Sequence, residues 1–352
     1  MGGNALKNTY TRRYSKQEFE DLQKEIISKL EGLKNTRPLI TGSEQERYVN
    51  LHTPWAFIAS YNLKETFGDL DILMNKAYYD IKDPNFKVDV YNAFHYNEIY
   101  YNTDVWSLDY KEFQIDLIFT EMKNFETSIN YYAYNDLGNI MGRIANKFGL
   151  RYGHDGLKYK LNSVYIKRKY IGEFMVSKDI PKIFKFLKYD YDRFVKGFDT
   201  INDIFDYAMS TPYFAKEVFY YENLDHQNRT RNRKRATYAA FLDYIKDKEV
   251  KPYPFTKDKE IFFNSIVEFF PEANLPELRK QAEEAEKRKA LINEKFNGHI
   301  VMELIPGITG KEIGKFISKF QSQFATQESF EEEILKASPE KIKNDILYLS
   351  KQ

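Results

Sequence analysis

The chain has 352 residues, enough for two or three domains with cores of their own. Lys plus Arg number 53 and Asp plus Glu 52, a net charge of +1, so contact with nucleic acid must rest on a local patch and not on overall charge. There are no cysteines and only five scattered histidines, which excludes disulfides and thiolate metal sites and argues against zinc.

No run approaches the roughly 20 apolar residues of a membrane span. The opening "MGGNALKNTYTRRY" has no apolar signal core, and Leu6 breaks the myristoylation pattern. The expectation is a soluble, cytoplasmic protein without membrane contact. The 28 Tyr and 28 Phe fit ordinary core packing; stacking platforms for bases are the sharper alternative.

In chain order, "YSKQEFEDLQKEIISKLEGLK" reads as an amphipathic helix. Ser15 and Glu18 form a capping box, and Phe19, Leu22, Ile26, Leu30 and Leu33 give the apolar stripe. Residues 36–53 are polar and loop-like. From 55 to 170 the pattern is strand-rich: "WAFIAS", "DLDILM", "FKVDVYNAF", "EFQIDLIFT" and "KLNSVYIKRKY" are short runs rich in β-branched and aromatic residues. A helix over about 135–148 separates the last two. "RYGHDGLKY" reads as a hairpin turn, with His154 and Asp155 as an alternative substrate loop.

After residue 178 the chain turns helical, in "DIPKIFKFLKY", "DYDRFVKGF" and "TINDIFDYAMS". The basic stretch 226–235 and "ATYAAFLDYI" follow. "KPYPFT" marks a boundary, after which "LPELRKQAEEAEKRKALINEKF" is one long helix with a narrow apolar stripe. The resulting division is a helical lead-in (1–50), a strand-rich domain (51–175), a helical middle (176–255) and a helical C-terminal domain (256–352).

The chemistry concentrates in "FGDLDILM". Alternate residues of a strand share a face, so Asp69 and Asp71 point the same way, about 6–7 Å apart along the strand. Leu70, Ile72 and Met74 point to the core. Two like charges this close are easiest to justify around a divalent cation, and oxygen ligands suit Mg²⁺. An exposed strand with two solvated acids is the plainer alternative. An EF-hand is excluded, because Leu73 and Met74 stand where that loop needs an oxygen ligand and a glycine.

In "EFQIDLIF", Phe113, Ile115, Leu117 and Phe119 face one way and Gln114, Asp116 and Ile118 the other. Asp116 is thus a lone acid in an apolar strand. If the two strands are neighbours, three carboxylates converge and can hold two metals roughly 3.5–4 Å apart. Upstream, Ala59-Ser60 ends a strand and Gly68 precedes Asp69. A turn with exposed N–H groups and a hydroxyl can hold a triphosphate.

These residues resemble the core motif of the DNA polymerase β-type nucleotidyltransferase superfamily. In that motif a Gly-Ser turn precedes a Gly-Asp-x-Asp strand and a third aspartate follows on a neighbouring strand. The resemblance covers residues 55–120. Ala59 stands where the family prefers glycine.

The resemblance implies an α+β fold: a small mixed or antiparallel palm sheet with helices, then a mainly helical C-terminal region. It implies that Asp69, Asp71 and Asp116 are the catalytic and metal residues, with Mg²⁺ or Mn²⁺. It also implies that Ser60 and Gly68 bind the nucleoside triphosphate.

The acceptor is not decided by such a fold. "HQNRTRNRKRATY" contains Arg229, Arg231, Arg233, Lys234 and Arg235 with no acid among them, a pattern suited to phosphate contacts. A solvated surface or an acidic partner within the chain is the alternative. In "LIPGITGKEIGKFISKF", Thr309 and Glu312 form a capping box, and Gly307, Gly310 and Gly314 allow close backbone approach. This stretch loosely resembles helix–hairpin–helix elements, with the spacing off by one residue; tight helix packing is the alternative.

The whole is similar to RNA 3′-end nucleotidyltransferases of the tRNA or poly(A) type. It lacks the Arg-Arg-Asp-Phe and Glu-Asp-x-x-Arg signatures of bacterial CCA-adding enzymes. The expected activity is nucleotide addition to RNA 3′ ends, tRNA among them, with release of pyrophosphate. A nucleotidyltransferase acting on a protein or small molecule, and a non-catalytic RNA-binding relative, are the alternatives. A glycosyltransferase is a weaker rival, since the first fifty residues are too short for its nucleotide-binding region.

Overall fold

The computed structural model describes residues 5–33, 54–163 and 170–352. The chain divides into two units, residues 1–160 with 173–273, and residues 161–172 with 274–352. The fold is α+β. Among the described residues, no helix is long and apolar enough to cross a membrane.

The first unit is built on a five-stranded mixed sheet. Its strands are β2 (Trp55–Phe57), β4 (Asp69–Asn75), β5 (Ile99–Asn102), β6 (Val105–Tyr110) and β7 (Phe113–Thr120), in the order β2-β4-β7-β6-β5. Only β4 and β7 run parallel; the other pairs are antiparallel. A two-residue ribbon pairs β1 (Tyr14–Ser15) with β3 (Thr66–Phe67), just ahead of β4.

Alternation in β4 and β7 explains the layering. Leu70, Ile72 and Met74 join Phe113, Ile115, Leu117 and Phe119 in one core with Leu22, Ile26 and Leu30 of helix α1 (Lys16–Leu33). The expected capping box opens that helix: Ser15 N–H donates to Glu18 at 2.8 Å, and Glu18 N–H donates to the Ser15 hydroxyl at 3.4 Å. On the opposite face Leu73 and Ile118 pack on Phe125, the first residue of helix α3 (Phe125–Tyr132). β7 is buried on both faces along its length.

One expected strand is a helix. "FKVDVYNAF" lies in α2, Pro84–Phe94, opened by Asp83, whose side chain accepts from Asn85 N–H, and by Pro84 in the first turn. Phe86, Val90 and Phe94 recur every four residues on its buried face, while Val88 and Tyr91 are exposed. The period is helical; the β-branched and aromatic content misled. The strands β5 and β6, not anticipated, form a hairpin with Thr103 in a left-handed conformation at the turn.

Helix α4 (Leu137–Lys147) leads into the hairpin of β8 (Leu150–Gly153) and β9 (Gly156–Asn162), with β10 (Tyr170–Ser177) beside β9. The turn at His154 and Asp155 is the hairpin expected there. Short helices follow: α5 (Ile180–Phe186), α6 (Tyr191–Lys196), α7 (Ile201–Met209), α8 (His226–Arg233), α9 (Ala236–Lys246) and α10 (Phe263–Phe269).

The second unit contains α11 (Leu275–Lys295), α12 (Gly298–Leu304), α13 (Lys311–Gln321), α14 (Gln327–Lys336) and α15 (Pro339–Ser350). Its core holds Phe296, Val301, Phe320, Phe330, Ile334 and Ile346, with Ile313, Phe316 and Ile317 packed against it. Gly307, Gly310 and Gly314 do not serve tight packing within the chain. A Cβ at Gly307, Gly310 or Gly314 would meet no atom within 4 Å. Gly307 and Gly310 are instead needed for their positive φ of 84° and 47°. Of the capping box expected here, only the Glu312 half forms, at 3.4 Å to Thr309 N–H, and Gly310 occupies the cap position itself.

The β8–β9 turn depends on Gly156, whose φ is 109° and whose added Cβ would lie 2.7 Å from the Ser177 carbonyl oxygen. Gly156→Ala should therefore lower stability by at least about 1 kcal/mol, read as a lower urea midpoint with an unchanged slope. An unchanged midpoint would contradict the assignment of this turn.

Candidate metal centre and its cleft

Three aspartates meet because of strand register. Parallel pairing sets Asp71 opposite Asp116 and Asp69 opposite Gln114, all on the face away from the α1 core. One carboxylate oxygen from each of Asp69, Asp71 and Asp116 lies within 4.8 Å of the others. Asp116 is buried, at 3% exposure, whereas Asp69 and Asp71 are half-buried.

Two neighbours orient Asp116. Gln114 Nε2 donates to Asp116 Oδ1 at 2.9 Å, and the Ser107 hydroxyl donates from the facing position of β6. Gln114 Oε1 in turn accepts from Ala5 N–H at 3.0 Å.

Burial, followed by the charge of Asp71, pushes the Asp116 carboxyl up to about 7. Burial, with Asp69 adding, also raises Asp71. The like charges that push Asp71 and Asp116 up are what a divalent cation would relieve. The donor set is all oxygen, so it fits a hard cation such as Mg²⁺ or Mn²⁺ and not a thiophilic one.

The segment bearing Ser60 is tied at both ends. Ile58 N–H donates to the Asp71 carbonyl at 3.1 Å, and Tyr134 N–H to the Ala59 carbonyl at 2.7 Å. Asn62 and Leu63 donate to the carbonyls of Phe198 and Asp199. Ala59 is not among the residues with positive φ, so its backbone conformation does not call for glycine. The Ser60 hydroxyl donates to Asn135 Oδ1 at 3.3 Å. Space at Gly68 is tight: a Cβ there would lie 3.0 Å from Arg13 Nη1, and Arg13 donates to the Thr66 hydroxyl and carbonyl.

Sequence reasoning missed Lys64. It lies over the Phe67 ring at 4.6 Å. Burial holds its ammonium below the usual range, opposed by Asp69. Its one signal was its place three residues ahead of Phe67 in the loop before the Gly-Asp-x-Asp strand.

These residues open on a cleft of about 1750 Å³, lined by Ser60, Lys64, Asp69 and Asp71. Other lining residues come from α4 and from the α8–α9 junction, and basic side chains outnumber acidic ones two to one. Not every side chain of the basic run 229–235 lines the cleft. Arg231 and Lys234 are exposed and line the cleft. Arg235 also lines it but is ion-paired with Asp136.

The other two arginines of the run have contacts of their own. Arg229 donates to the carbonyls of Tyr221 and Leu224 at 3.0 and 2.9 Å. Arg233 lies over the Tyr221 ring. Asn232, within the run, is fully buried and accepts from Asn139 at 3.1 Å.

Asp155 belongs to the hairpin. Burial would raise its carboxyl, but hydrogen bonds from Arg151 and Lys158 overcome this and hold it well below the usual range. His154 lines the cleft, its ring parallel to that of Tyr132 at 6.0 Å.

No family model matches the chain, and no curated protein matches it in sequence.

The Asp116 carboxyl titrates near 7 in the folded state against about 4 in an unfolded chain. The folded state therefore binds more protons between these values, and metal-free stability is lost as pH rises from about 4 through 7. Asp116→Asn should flatten that loss and raise the metal-free melting temperature at pH 7.5. Mn²⁺ at about a hundredfold over its Kd should stabilise the wild type by about 2.7 kcal/mol and leave Asp116→Asn nearly unmoved. Equal stabilisation of both by Mn²⁺ would contradict the assignment.

Proposed function

We propose that this protein is a metal-dependent nucleotidyltransferase that adds nucleotides to RNA 3′ ends, tRNA among them. The observation that carries the proposal is the β4–β7 register, which gathers three aspartates at the edge of a predominantly basic cleft. In the reaction, an acceptor hydroxyl oxygen bonds to the α-phosphorus of a nucleoside triphosphate. The bond to the bridging oxygen breaks, and pyrophosphate leaves.

Asp69, Asp71 and Asp116 would hold Mg²⁺ or Mn²⁺, which when bound lowers the charge cost of the transfer and acidifies the acceptor hydroxyl. The protein's own groups have separable roles. Asp116, oriented by Gln114 and Ser107, accepts the hydroxyl proton. The Ser60 hydroxyl and the Lys64 ammonium bind triphosphate oxygens. Gly68 keeps the turn before Asp69 narrow. Arg231 and Lys234 contact acceptor phosphates, whereas Arg229 and Arg233 support the fold around them.

A second reading, transfer to a protein or small molecule, is favoured by one observation: Arg229 is hydrogen-bonded and Arg233 stacked within the protein, so the basic face is smaller than the sequence run suggests. All three acids are present, which speaks against a non-catalytic relative.

The test is incubation with each labelled nucleoside triphosphate, Mg²⁺ or Mn²⁺ and total cellular RNA. Labelled RNA is expected, with Asp71→Ala reducing transfer by at least about a thousandfold through loss of charge stabilisation. Label confined to protein or to a small molecule selects the second reading; full activity in Asp71→Ala rejects both.

On RNA binding, Arg231→Gln should flatten the salt dependence by about one unit, since each lost phosphate contact removes roughly one released counterion. Arg233→Gln should not. Equal effects would place both arginines on the RNA.

A further inference from the structure

The acidic end of the cleft is opposed by a second cluster of charge on its helical wall. Helix α4 buries Leu137, Ile140, Met141 and Ile144 and turns Asn139, Arg143 and Asn146 to the cleft. These three recur at helical spacing on one face. Asn139 is bonded to Asn232 of α8, and Asn146 accepts from Lys259 at 3.2 Å. Arg143 lies between them. Its Nε is buried and has no hydrogen-bond partner among the described residues.

Around Arg143 the charge is mainly positive. Lys160, Arg231 and Lys259 all act electrostatically within this group. Burial and then its basic neighbours, Lys160 first, hold the Lys259 ammonium down at about 8. The carboxylates that reach Arg143 and Lys160 are Asp225 and Glu173, not the three aspartates of the sheet. Asp225 is engaged as the cap of α8 and Glu173 by Arg151.

A guanidinium with a buried, unanswered donor, held among like charges and open to a cleft, is arranged for an anion. Phosphate oxygens match it in charge and geometry. Arg231 acts on both Arg143 and Tyr132, and Tyr132 in turn feels Asp71. Arg231, Arg143 and Lys160 line the same cleft as Asp71.

We infer that Arg143, Lys160 and Arg231 form a second anion site, apart from the aspartates, that takes a phosphate group of the acceptor. The inference rests on the nucleotidyltransferase reading. Ser60 and Lys64 flank the aspartates, where the triphosphate must lie. A phosphate held further along the cleft belongs to the molecule that brings its hydroxyl to those aspartates.

The test measures binding in EDTA, so that no transfer occurs, for the full chain and for Arg143→Gln, Lys160→Gln and Arg231→Gln. The two probes are a short single-stranded RNA and inorganic tripolyphosphate. Each variant should weaken RNA binding by about tenfold, the scale of one lost charged hydrogen bond, and leave tripolyphosphate within about twofold. Arg143→Lys, which keeps the charge, should recover part of the loss. If Arg143→Gln melts abnormally, the more exposed Lys160 and Arg231 variants carry the test.

Unchanged RNA affinity in the folded variants overturns the site. An equal fall for tripolyphosphate overturns its assignment to the acceptor. The nucleotidyltransferase reading fails separately: if the wild type transfers no nucleotide yet the variants lose RNA affinity, the anion site stands without it. If transfer is found and RNA affinity is unchanged, that reading stands without the site.

Discussion

The parallel register of β4 on β7 is the constraint on which the candidate site depends. It sets Asp71 directly opposite Asp116 and leaves Asp69 opposite Gln114. A slip of one residue would turn every side chain of a strand to the other face. Asp116 would then enter the apolar core and Ile115 or Leu117 would take its place. What prevents the slip is hydrophobic: the α1 face of these strands carries an unbroken set of Leu, Ile, Phe and Met at alternate positions. The sheet therefore sets half-buried Asp71 against buried Asp116 for the sake of its own packing, a conflict of like charges that a bound cation would relieve.

The cleft extends the same logic to the helical part of the first unit. Polar contacts there fix positions: Asn139 to buried Asn232, and Asp136 to Arg235. They tie α4 to the α8–α9 junction and so hold basic side chains across from the aspartates. Fixing both charge clusters on regular elements keeps the geometry rigid, which matters where transfer depends on positioning.

Much of this was legible in the sequence, and the reasons are specific. Strict alternation in "DLDILM" and "EFQIDLIF" gives the faces of both strands, because a period of two has few alternative explanations. The capping box at Ser15 and the hairpin at His154–Asp155 follow from local chemistry. "FKVDVYNAF" was misread because residue type was weighed above the four-residue recurrence of Phe86, Val90 and Phe94. The arginine run was legible only as charge. That Arg229 bonds backbone carbonyls while Arg231 faces the cleft is a matter of helix phase and neighbours. Arg143 carries no sequence signal of its own, and Lys64 only its place in the loop before the Gly-Asp-x-Asp strand, since isolated basic residues gain meaning from where the fold puts them.

The most direct test of the account is anomalous diffraction from crystals grown with Mn²⁺ and a non-hydrolysable nucleoside triphosphate. The account predicts a manganese peak among the carboxylates of Asp69, Asp71 and Asp116, with the triphosphate running from it toward Ser60 and Lys64. Nucleotide bound elsewhere, or ordered nucleotide with no manganese at these aspartates, would contradict it.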